Sequence, residues 1–293
     1  MNKIGSVLML TVSHLILAVT MLFLQGIADS PLGRVAILLY LNCCLALGAG
    51  LFARQHMRGV LQRHLWTLLI CSVGYCFAFG LFVALPSQMP LGLFMISSAL
   101  APVAGAWVYS IVLRRSDQRL TILGSSPILI LFVLAVMESR ADGLHRVSAA
   151  LVMVALGQIA VQYGLRRMAS DLRPIAISAC LAAFNSVFLS AFLFGDKYSL
   201  LTVDRIEIVF ALCAAPAVLA VQVLRLSGLK LSSLTLGAVA MSASVPVSLI
   251  VEEVHSGAYH PLSLLLSVVY VIPLYSWTTM WRTEAAQDDT VTI

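Results

Sequence analysis

The chain reads as ten stretches of roughly twenty residues, the length a helix needs to cross a hydrocarbon core. Within each, apolar side chains run almost without interruption. The predicted spans are Ile4–Leu24, Val35–Phe52, Leu65–Leu85, Pro90–Leu113, Leu120–Met137, Val147–Leu165, Ile175–Phe194, Ile208–Leu224, Leu234–Val251 and Pro261–Trp281. Hydrocarbon offers no partner for a backbone amide, so each stretch must close its own hydrogen bonds as a helix. Overall, 60% of the residues are hydrophobic and 11% charged, whereas a soluble domain carries about 25% charge. The expected fold class is therefore all-α and integral to the membrane. The breaks between spans are too short to hold a soluble domain, and Ile4–Leu24 is longer than a cleaved signal's apolar core.

Charge sets the orientation. On one side fall Lys3, Arg54, Arg58, Arg63, Arg114, Arg115, Arg119, Arg166, Arg167, Arg173, Arg225, Lys230 and Arg282; on the other, Arg34, Arg140, Arg146, Lys197 and Arg205. Thirteen of the 18 cations therefore share a side, which predicts that both termini are cytoplasmic. Trp66, Trp277 and Trp281 fall at predicted cytoplasmic ends, where an aromatic belt belongs. The net charge of +5 is spent on loops, so nucleic acid is not an expected partner. All six cysteines lie in apolar runs without a CxxC spacing and read as packing residues.

The two halves repeat. Ser98-Ala99-Leu100-Ala101-Pro102-Val103 in the fourth span and Ser242-Ala243-Ser244-Val245-Pro246-Val247 in the ninth both read S-A-x-x-P-V, 144 positions apart. The same offset carries His14 onto Gln158, and an offset of 143 carries Asn42 onto Asn185. Residues 1–146 form one five-helix unit, 147–281 a second, and 282–293 a polar cytoplasmic tail. Five is odd, so the second unit enters the membrane upside down. Inverted repeats are a recurring construction of secondary transporters, with the site near the midplane where the copies meet.

No Asp, Glu, Lys or Arg is expected at the centre of a span. That argues against a carboxylate proton relay and against strongly anionic substrates. His14 is the most informative polar residue, a substrate hydrogen-bonder or a histidine satisfied by a neighbouring helix. Gln158, Gln162, Asn42 and Asn185 are neutral amides that both donate and accept, suited to a solute or to helix–helix bonding. Pro102 and Pro246 each free a carbonyl one turn earlier, near Ser98 and Ser242, as a hinge or a packing kink. Tyr75, Tyr109 and Trp107 are candidate cavity walls. Glu252, Glu253, His255 and His260 read as a solvated loop rather than a metal site, and HExxH, GxSxG and paired membrane-depth aspartates are missing. No enzyme activity, cofactor or metal is expected.

Ten spans in two five-span halves, with Pro-Val inside spans four and nine, resemble the drug/metabolite transporter superfamily, in particular its EamA-type branch. The segment Gly74–Leu123, with its short Pro86–Pro90 turn and Pro102, is similar to that branch's amino-acid exporters. Many members place a glutamate about a dozen residues after the proline; here that position is Arg114 in the first half, and the acids come earlier in the second, at Glu252 and Glu253. Where small four-span relatives carry a proton-coupling glutamate in the first span, this chain has His14. The resemblance implies alternating-access export of a small neutral or zwitterionic, amino-acid-like metabolite across a bacterial inner membrane, by a monomer or homodimer in the lipid bilayer. An exporter of amphipathic drugs or organic cations is the alternative within transport, and a membrane scaffold the alternative outside it. The expected site is lined by His14, Ser98, Gln158 and Ser242 and shaped by Pro102 and Pro246. Spans one, four, six and nine would surround it, with two and seven, carrying Asn42 and Asn185, further out.

Overall fold

The computed structural model describes residues 3–27, 31–84, 100, 132–133, 145–169, 173–195 and 205–231. Predicted spans four, five, nine and ten lie outside these residues, save for Leu100, Phe132 and Val133. All regular structure among the described residues is helical. Helix α1 spans Lys3–Ile27, α2 Pro31–Tyr75, α3 Leu81–Ala84, α4 His145–Ala169, α5 Pro174–Gly195 and α6 Arg205–Leu231. A π-helical turn, Cys76–Gly80, joins α2 to α3.

Four segments are long and apolar enough to cross a bilayer: Leu32–Val83, Ala149–Ala169, Pro174–Ala191 and Ile208–Leu231. The outer surface agrees. Leu51, Phe52, Trp66 and Ile206 are each more than three-quarters exposed, an arrangement that water would penalise and lipid accepts. The described residues are those of an all-helical membrane protein.

Predicted spans two and three belong to one continuous helical segment. Its 45 residues would reach about 67 Å if straight. At His64 the backbone leaves the helical region, with φ −130° and ψ 22°. The chain folds back, because the Asn42 amide meets the Tyr75 hydroxyl 33 positions later, a pair that a straight helix would hold about 50 Å apart. The polar stretch around Arg54–Arg63, expected as a loop, is helical.

Helices α2 and α5 both open on proline, Pro31 and Pro174, where the missing N–H is no loss. The Arg173 carbonyl caps α5 by accepting from the Ala176 and Ile177 amides, at 3.1 and 3.2 Å. These two helices make the most extensive contact among the described elements. They run antiparallel: Asn42 meets Asn185, while Met57, further along α2, lies against Cys180, further back along α5. Among the described residues, spans two and seven are therefore direct neighbours.

The flanking contacts are made by small residues. Helix α1 packs on α6 where Gly228 lies against Leu10 and Ser6, and α4 packs on the returning arm of α2 where Gly157 meets Gly74 and Gly164 meets Cys71 and Thr67. Lipid tails are as apolar as leucine, so close van der Waals approach between helices, which glycine permits, is what favours association. Two hydroxyl groups within the helices are satisfied locally: Thr20 donates to the Ile16 carbonyl and Ser190 to the Ser186 carbonyl, each one turn back.

These contacts predict opposite responses to one substitution. A Cβ at position 157 would lie 2.5 Å from the Gly74 oxygen and 2.9 Å from the Ala78 amide nitrogen, whereas one at 48 or 59 meets nothing within 4 Å. Gly157→Ala should destabilise the folded protein by about 1–3 kcal/mol, the usual cost of overpacking. Gly48→Ala and Gly59→Ala should be neutral or slightly stabilising. Reversible unfolding in mixed micelles reads the difference.

Candidate functional site

Asn42, Tyr75 and Asn185 form one connected chain of hydrogen bonds. The Asn42 amide nitrogen donates to the Leu38 carbonyl at 2.8 Å and to the Tyr75 hydroxyl at 3.1 Å. The Asn185 amide nitrogen donates to the Asn42 side-chain oxygen at 3.2 Å. Asn42 is wholly buried and Asn185 is 2% exposed. Chemistry fixes the orientation of both asparagine amides. A carbonyl only accepts, so the Asn42 atom facing Leu38 is nitrogen; its other atom is therefore oxygen, and the Asn185 atom facing that oxygen must be nitrogen. What remains is the Asn185 Oδ1, buried and without a hydrogen-bond partner.

That oxygen belongs to a residue lining a central cavity of about 50 Å³, room for a few waters. All six predicted spans that the described residues cover contribute to its wall. Leu17 comes from α1, Leu41 and Tyr75 from the two arms of α2, Val161 from α4, Asn185 from α5 and Val218 from α6. Tyr75 and Phe79 stack with ring centroids 4.6 Å apart and planes inclined by 27°. The intervening π-turn puts Phe79 on the same wall, and such turns recur at functional sites.

The expected site residues divide. Asn42, Tyr75 and Asn185 are brought together, two on the cavity wall and one bonded behind it. His14 is 2% exposed on α1, with its Nδ1 2.9 Å from the Leu10 carbonyl of its own helix. Gln158 is 1% exposed on α4, and its Nε2 has no partner. Neither lines the cavity. Ser98, Pro102, Ser242 and Pro246 lie outside the described residues, as do Trp107 and Tyr109.

Two wall residues escaped the sequence reading. Arg225, counted there among loop cations, lies inside α6, six residues before its end at Leu231, or about 9 Å in. It is 7% exposed and lines the cavity. Gln222, one turn earlier on the same face, lines it too. The Arg225 Nε and the Gln222 Oε1 are both buried without hydrogen-bond partners. His14 sits within electrostatic reach of the Arg225 guanidinium. The signal for Arg225 was its position before Leu226, Leu229 and Leu231, which lets the helix extend past the hydropathy boundary.

No protein-family model and no curated protein matches the sequence. A solved structure described as "Crystal structure of protein" is similar in fold, aligning over 97% of this chain and 96% of its own with a TM-score of 0.58 and 16% identity. Its likeness extends to the fold over nearly the whole length.

The amide pair gives a measurable coupling. Asn42→Leu and Asn185→Leu each strand a buried polar partner, and the double variant removes both. A double-mutant cycle on unfolding free energy should return a coupling of about 0.6–1.7 kcal/mol, from the average to the maximum for interhelical bonds in membranes. A coupling indistinguishable from zero would mean that the pair does not hold α2 to α5.

Proposed function

We propose that this protein is a transporter of a small neutral or zwitterionic, amino-acid-like metabolite, built from two inverted five-helix halves in a bacterial inner membrane, with both termini cytoplasmic. The observation that carries the reading is the central cavity, walled by helices from both halves of the sequence and holding buried polar atoms without partners. A scaffold has no use for such a cavity, because unpaired polar atoms in a closed apolar bundle cost about 1–3 kcal/mol each.

Four features support the inverted halves. Asn42 bonds Asn185 and Cys43 approaches Ser186, each residue meeting its own counterpart 143 positions away. Self-contact between equivalent residues is what a two-fold axis produces. The helices that carry them are antiparallel, as copies of opposite orientation must be. Both first helices have 25 residues, and both second helices begin on proline at that same spacing. The flanking packing is also reciprocal: α1 lies on α6, the third helix of the other half, and α4 lies on the returning arm of α2, the third helix of the first. On this reading spans four, five, nine and ten complete the ten-span bundle, and Ser98, Pro102, Ser242 and Pro246 complete the site.

In alternating access, such a cavity opens to one side and then the other as the halves rock about their shared seam. The chain's own residues supply the wall: apolar and aromatic side chains for a small hydrocarbon body, and amides for its polar head. The cation bias of thirteen to five supports cytoplasmic termini.

Purified protein in liposomes should exchange labelled apolar or aromatic amino acids faster than protein-free liposomes do. Lipophilic cations such as tetraphenylphosphonium should move no faster than in the control. Preference for the cations over every zwitterion would reverse the substrate assignment, and no flux of either would favour the scaffold.

A further inference from the structure

Among the described residues, no acidic side chain lies near Arg225 to answer its charge. Its side chain is more than nine-tenths buried, it lines the cavity, and its Nε has no hydrogen-bond partner. The one acidic residue among the described residues is Glu207, 18 positions earlier on the same helix and therefore about 27 Å away along the axis. A guanidinium held in an apolar wall is costly unless an anion meets it. On the same wall, the Asn185 Oδ1 and the Gln222 Oε1 are acceptors without donors. One donor in want of an anion and two acceptors in want of a donor are complementary to a zwitterion. The remaining lining is apolar or aromatic, including Leu17, Met21 and Phe79.

We propose that Arg225 is the anchor for the carboxylate of the substrate, with Asn185 Oδ1 and Gln222 Oε1 receiving its ammonium group and the apolar wall receiving its side chain. The proposal rests on the transport reading for the identity of this cavity as the substrate site. It adds that selection is made chiefly by charge at one end of the molecule. Arginine suits this role because its planar fork meets both carboxylate oxygens at once and it stays protonated when buried. A cationic substrate without a carboxylate would meet an uncompensated positive charge.

The test is a ligand series on the wild-type protein in detergent, read by thermal shift so that binding is separated from flux. The probes are phenylalanine, its amide, phenethylamine, which lacks the carboxylate, and 3-phenylpropionate, which lacks the amine. Phenylalanine should bind best and 3-phenylpropionate next, with the amide and phenethylamine at least ten-fold weaker than phenylalanine. R225Q should abolish the preference for the carboxylate, and R225K should retain part of it. Equal binding of phenethylamine and phenylalanine would overturn the proposal. If R225Q does not fold, the four-ligand order on the wild-type protein decides alone. An anionic lipid headgroup offers the same chemistry from another source. Should phosphatidylglycerol stabilise the protein through Arg225 while no carboxylate probe does, the anchor is a lipid site and the substrate assignment fails. Carboxylate-selective binding without flux in liposomes would sink the transport reading and leave the anion site standing.

Discussion

The antiparallel seam between α2 and α5 is the contact on which the other features depend. It joins the two helices through paired side chains, Asn42 against Asn185 and Cys43 near Ser186. Hydrocarbon makes this possible. In water two amides exchange partners with solvent at little cost, but in an apolar bundle an amide that lets go has few alternatives. The pair therefore fixes register as well as proximity. Once α2 and α5 are fixed, Tyr75 is held on the Asn42 amide, the returning arm of α2 is fixed in turn, and α4 closes on it through Gly157 and Gly74.

Much of this was legible in the sequence, and the reasons differ by residue. Helices crossing lipid announce themselves by length and hydropathy, so all six predicted spans on the described residues correspond to helix. The relation between Asn42 and Asn185 was readable as a spacing, 143 positions along the chain. That the two touch was not, because contact depends on how the helices pack, which a linear spacing does not give. His14 and Gln158 drew attention as rare polar residues near span centres. In space each is buried on its own helix and off the cavity wall. Rarity in a linear pattern marks a residue that needs a partner, without saying whether that partner is a helix or a solute.

Arg225 shows the opposite failure. A cation at the end of an apolar run reads as a loop residue, since hydropathy windows end where charge begins. Here the helix continues to Leu231 and the guanidinium lies against the cavity. The break at His64 and the π-turn at Cys76–Gly80 were silent for a related reason. Both are single departures from helical geometry inside sequences whose composition is helical throughout. Yet they decide the site: the first turns the chain back so that Tyr75 reaches Asn42, and the second puts Phe79 beside Tyr75.

Transport requires the cavity to be a solute path and not a sealed core. Cys71 lines the cavity, is 1% exposed and is a free thiol, which makes it a native reporter. With the other cysteines replaced by alanine or serine, a small membrane-impermeant thiol reagent should label Cys71 in vesicles from the cytoplasmic side and, separately, from the outer side. Saturating substrate should slow both reactions. No labelling from either side under conditions where the denatured protein reacts fully would mean a closed, dry centre, and would contradict the transport reading.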